Sequence, residues 1–149
     1  MRKRKSEILL AILPIYLLVA GNILKYSLGE YFSAWYDPSY VYLINSLNFA
    51  QLSGFGVGHI DHPGTPVQVF GAIVVKLYHT LSNGNIDIAK DVFSRPEDYL
   101  LQINRAFLLL NSIALLLLGI FVYRISRDLY LSVFASSRHL YRENCFTDL

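Results

Sequence analysis

The sequence predicts an all-α membrane protein: two transmembrane helices joined by a long extracytoplasmic loop that carries in-plane amphipathic helices. Three observations lead there. Of the 149 residues, 54% are hydrophobic, above the range of ordinary soluble domains. Two long apolar runs lie toward the two ends of the chain, with a polar, aromatic-rich stretch between them. The basic residues are placed asymmetrically: Arg2, Lys3, Arg4 and Lys5 precede the first run, and Arg124 and Arg127 follow the second.

The first run, Ile8 to Leu24, has 17 residues and is read as a transmembrane segment over 8–24, at the short end of what crosses a bilayer. A basic start followed by an apolar core also describes a signal peptide, but the Ala-Gly-Asn at residues 20–22 makes a poor cleavage site, so the segment reads as an uncleaved anchor. Pro14 inside it predicts a kink. The second run, Ala106 to Tyr123, extends back to Ile103 and gives a second transmembrane segment over 103–123. With basic residues before the first segment and after the second, the positive-inside rule puts both termini in the cytoplasm and the loop 25–102 outside. The expected location is a multi-pass position in a bacterial inner membrane. The loop's charge agrees, with seven acidic residues against four basic ones. So short a basic cluster implies no nucleic-acid partner, and Cys145, the lone cysteine, implies neither a disulfide nor a metal pattern.

Within the loop, Asp37 is a good N-cap and Pro38 a good first helical residue. A helix should begin there, with Tyr40, Leu43, Ile44, Leu47 and Ala50 as its apolar stripe and Asn45 and Asn48 on another face. Tyr26, Tyr31, Phe32, Trp35, Tyr36, Tyr40 and Tyr42 crowd its start, as at headgroup level. Thr65-Pro66 repeats the cap-plus-proline pattern and opens a third apolar segment, Val67 to Leu81. Its 15 residues reach only about 23 Å, short of a roughly 30 Å hydrocarbon core. Gln68, Ala72, Lys76 and His79 form one polar stripe on it, so the helix is expected to lie in the interface with that stripe toward the headgroups. Residues 54–66 read as a loop and 82–98 as a polar connector. The tail 131–149 loses the apolar pattern and reads as aberrant or truncated.

Three constellations could carry chemistry. Asp37, at a helix start near the outer membrane face, has two compatible roles: the helix cap, or a base acting on a lipid-linked substrate. His59, Asp61 and His62 lie within four residues, but one short loop rarely completes a metal site, so no metal is expected. Pro63, Gly64 and Pro66 instead hold Asp61 and His62 in a turn where they bond the neighbouring loop or a substrate. Arg105, at the outer end of the second segment, either snorkels to the headgroups or holds a lipid phosphate in its guanidinium fork.

Taken in order, these features resemble the front part of the polytopic glycosyltransferases that use polyprenyl-phosphate sugars, the GT-C superfamily of the protein O-mannosyltransferases and the lipid A aminoarabinose transferases. The resemblance is carried by Asp37 in the first outer loop, by the turn His62-Pro63-Gly64-Thr65-Pro66, by Arg105 opening the next segment, and by Tyr123 to Arg127 at its end. The mannosyltransferases have an Asp-Glu pair where this chain has Asp37-Pro38. The resemblance covers residues 1–130. It implies inverting transfer of a sugar from a polyprenyl-phosphate donor to an extracytoplasmic acceptor, with Asp37 as catalytic base, Asp61, His62 and Arg105 as substrate-binding residues, and no cofactor. Such enzymes have about a dozen spans, so it also implies that the chain is a fragment, inactive without the remainder of the transferase. The competing expectation is a small, non-enzymatic two-span membrane protein or subunit whose loop contacts a partner.

Overall fold

The computed structural model describes residues 9–30, 39–52 and 65–135. Among them every regular element is a helix and there is no strand, as the all-α expectation requires. In chain order the helices are α1 (Ile12–Leu28), α2 (Ser39–Ala50), α3 (Thr65–Asn83), α4 (Ile88–Ser94) and α5 (Pro96–Ser126), followed by a helical stretch over 129–135. The chain divides into two compact units. One comprises residues 1–27 and 107–149, the other residues 28–106.

The helix is interrupted just before Pro14, where the sequence predicts a kink. Residues 9–10 are helical, residue 11 turns, and α1 starts afresh at Ile12. Pro14 therefore falls in a first turn, where its missing N–H costs nothing, while Ile15 N donates to Ala11 O at 3.1 Å. At 17 residues α1 is about 25 Å long, below the thickness of the hydrocarbon core. Asn22 closes on its own helix by donating to Leu18 O at 2.7 Å.

Among the described residues, helix α5 is the element long and apolar enough, by length and composition, to cross a membrane. Its 31 residues extend about 46 Å. It begins at Pro96, well before the expected residue 103, because Pro96 is a favoured first helical residue and Glu97 and Asp98 lie in its first turn, where negative charge is stabilised by the helix dipole. It ends at Arg127, whose φ of 55° is left-handed and whose N–H closes on Tyr123 O at 2.9 Å.

The connector expected over 82–98 contains a helix. Asp87 caps α4, its carboxylate accepting from Ala89 N and Lys90 N, both at 3.1 Å, and Arg95 alone separates α4 from α5. These signals lay in the sequence as Asp87 and as Pro96-Glu97-Asp98. With no long apolar run around them, they were overshadowed by composition.

In the second unit, Leu43 and Leu47 of α2, Val75 of α3, Val92 of α4, and Tyr99 and Leu100 of α5 form the buried core. The faces turned toward it differ from the sequence expectation. On α3, Gln68, Ala72 and His79 are buried with Val75, whereas Val69, Ile73, Leu77 and Leu81 are exposed. The stripe expected at the headgroups is thus mostly the inner face, with Lys76 alone remaining outward. On α2, Asn45 and Ser46 are buried while Ile44 is exposed. The physical reason is close approach: a Cβ on Gly71 would collide with Ser46 Oγ, so α2 and α3 meet through small residues rather than through their most apolar ones.

Candidate functional site

Asp37, Asp61 and His62, and with them His59, lie outside the described residues. Arg105 is half-buried on α5 and is not a free side chain. The polar groups that the fold does bring together come from α3, α4 and the start of α5, and sequence reasoning did not single them out.

Their centre is Asp91, 3% exposed. Arg95 holds it with a two-pronged contact, Nε to Oδ1 at 2.9 Å and Nη2 to Oδ2 at 2.8 Å, the planar fork matching the carboxylate. His79 Nδ1 donates to Oδ2 at 3.1 Å, and the Tyr99 hydroxyl donates to the same oxygen. Arg95 Nη2 also donates to Ser82 Oγ at 3.0 Å, and Ser82 in turn donates to Tyr78 O at 2.7 Å. The guanidinium lies 5.4 Å from the Tyr78 ring centroid and 5.7 Å from that of Tyr99. The two rings meet edge to face at 5.0 Å, a favourable geometry for aromatic pairs.

Residues 91, 95 and 99 follow at four-residue steps, and the break at Arg95 does not spoil that register. Arg95 leaves the helical region, with φ −146° and ψ 60°, and proline disfavours the helical conformation in the residue before it. The periodicity was a signal available in the sequence, hidden by the polar context of the segment. Chiefly through the hydrogen bonds from Arg95, and against the opposing effect of burial, the Asp91 carboxyl is held well below the usual carboxylate range, with Tyr99 and His79 adding to the shift. The same contact raises the Arg95 guanidinium. Asp91 is therefore an ionised, fully partnered acid. It orients His79 as a carboxylate orients a catalytic imidazole, but His79 is itself 8% exposed and the cluster's charges are mutually neutralised. What the arrangement does is clamp α3, α4 and α5 together.

A second polar contact bears more directly on the sequence-derived site. The Tyr40 hydroxyl at the start of α2 donates to Glu97 Oε1 in the first turn of α5. Burial, the Glu97 hydrogen bond, and the charges of Glu97 and Glu30 push the Tyr40 phenol up to about 12, so it remains a donor at any physiological pH. Asn45 Nδ2, buried on α2, has no hydrogen-bond partner among the described residues. Among the described residues no group of three or more His, Cys, Asp or Glu side chains is placed to hold a metal ion. No family model matches the chain, and no curated protein and no solved structure matches it significantly.

Proposed function

We propose that this chain forms part of a membrane glycosyltransferase that moves a sugar from a polyprenyl phosphate to an acceptor at the extracytoplasmic face. In this reading α1 crosses the bilayer as well as α5, both termini are cytoplasmic, Asp37 is the base that takes the acceptor's proton, and Asp61, His62 and Arg105 bind substrate. The observation that carries it is the Tyr40–Glu97 hydrogen bond. It ties the start of α2, three residues after Asp37 in the chain, to the first turn of α5, the helix apolar enough to cross a membrane. The end of such a helix is the depth at which a lipid phosphate lies. Loss of a general base costs roughly 10²- to 10⁴-fold in rate. Membranes carrying the chain joined to the remainder of the transferase should therefore transfer label from polyprenyl-phosphate sugars, and Asp37→Asn in that full-length version should reduce transfer by that factor while leaving the amount of inserted protein unchanged. Full transfer by Asp37→Asn would remove Asp37 from the base role.

A second reading, a small non-enzymatic membrane protein or subunit, is favoured by one observation. The ion pair and hydrogen bonds of Asp91 close entirely on side chains of the same unit, so this buried charge calls on no further helices. It predicts no donor-dependent label in wild-type membranes and co-purification of a stoichiometric partner.

A further inference from the structure

The unit formed by residues 1–27 and 107–149 contains a feature that sugar transfer does not use. Along the last turns of α5, Leu117, Leu118, Ile120, Phe121 and Arg124 line a shallow open groove of about 450 Å³. Four of the five are apolar, and the charged one stands at the end of the helix. Leu117 and Phe121 are 61% and 63% exposed. Arg124 is exposed too, and among the described residues no carboxylate forms an ion pair with it.

The chain around Arg124 marks a depth. Arg127 stops α5 in a left-handed conformation, and Asp128 then caps the following helical stretch, its Oδ1 accepting from Tyr130 N at 2.8 Å and Leu131 N at 3.3 Å. Ser132 closes the first turn by donating to Asp128 O at 2.6 Å. The stretch turns Tyr130, Leu131 and Phe134 outward, at 87%, 50% and 56% exposure. Two arginines, a capped break and exposed aromatics one turn apart are the composition of a headgroup boundary. Below it, on the bilayer side, run the apolar walls of the groove.

We propose that this groove is a binding site for an anionic phospholipid, one acyl chain lying along Leu117, Leu118 and Phe121 and the phosphate held by the fork of Arg124, with Arg127 adding charge at the same level. The occupant follows from charge complementarity and from the wall: a guanidinium presents paired donors to phosphate oxygens, and the apolar length beneath it accepts a hydrocarbon chain but offers nothing to a soluble phosphate. Asp128 accepts from the N–H groups of the next helix and, among the described residues, forms no ion pair that would occupy Arg124. The proposal rests on α5 lying in a membrane and is independent of sugar transfer.

The test uses the full chain reconstituted in vesicles of equal parts phosphatidylglycerol and phosphatidylcholine, then extracted in mild neutral detergent and its retained lipid quantified. Wild type should retain phosphatidylglycerol in excess of phosphatidylcholine. Arg124→Gln should lower that preference about fivefold, the worth of one basic residue at an anionic surface. Leu117→Trp, which fills the groove from an exposed position, should lower retention of both lipids. Excess inorganic phosphate should displace neither. Equal retention of the two lipids by wild type, an undiminished preference in Arg124→Gln, displacement by inorganic phosphate, or a disulfide-linked dimer through Leu117→Cys in a Cys145→Ser background would each overturn the proposal.

Discussion

Leu52 shows at single-residue scale how a helix end is made without the residue best suited to it. It ends α2 with φ 60°, its N–H reaching Phe49 O at 3.0 Å, and it is 87% exposed. A left-handed conformation costs a non-glycine residue roughly 1–2 kcal/mol, partly offset by the entropy that glycine loses on folding. Leu52→Gly should therefore stabilise the chain by about 0.5–1 kcal/mol in a denaturation titration, with no change in helix content. Asp91 gives the opposite kind of sensitivity. Its carboxyl is depressed in the folded chain, so near the acid range the unfolded chain binds more protons than the folded one. The stabilisation is complete above the unfolded value of about 4 and is lost as the pH falls below it. Melting curves should show wild type losing stability on acidification through that range. Asp91→Asn should be less stable at neutral pH and should lack that part of the acid loss.

At the scale of elements, the meeting of α2 and α3 depends on the absence of a side chain. A methyl at Gly71 would strike Ser46 Oγ and come within 3.0 Å of Ser46 Cβ, and Ser46 is 2% exposed with nowhere to move. Gly71→Ala should cost about 1–3 kcal/mol despite its better helix propensity. Ser46→Gly in the same chain should recover most of the packing loss, which a double-mutant cycle would read directly. Gly21 is the useful contrast. The nearest atoms to an added Cβ there are the branched end of Leu108, at 2.5 and 3.0 Å, and a leucine tip can rotate away, so Gly21→Ala should be far milder. The clamp of α3, α4 and α5 through Asp91 has the same logic in polar form, because one carboxylate on α4 receives donors from His79 of α3, from Arg95 between α4 and α5, and from Tyr99 of α5.

For the molecule as a whole, the proposed topology sets positions on opposite sides of a membrane. In a Cys145→Ser background, Asn85→Cys should react with an impermeant reagent applied from outside, and Ser126→Cys only after the membrane is opened. Protection of residue 85 from outside would reverse the assignment and bring α3 back as a crossing helix, which its 19 residues, about 28 Å, come close to permitting. The sequence by itself determined the helical class, the start of α3 at Thr65, and the long apolar helix ending in arginines, because each depends on local chemistry: apolar runs, caps, prolines and end charges. Only the tertiary structure decided which faces turn inward and which polar groups meet. In a chain this apolar, hydropathy does not separate inside from outside, since lipid and core are equally suitable for Ile73 or Leu77. What chooses the inner face is the close fit at Gly71 and Ser46 and the need to pair a buried Asp91 with Arg95, His79 and Tyr99. Arg95 and Tyr99 follow Asp91 at four-residue steps in the sequence, but His79 reaches it from a different helix, a proximity that no single stretch of the sequence displays.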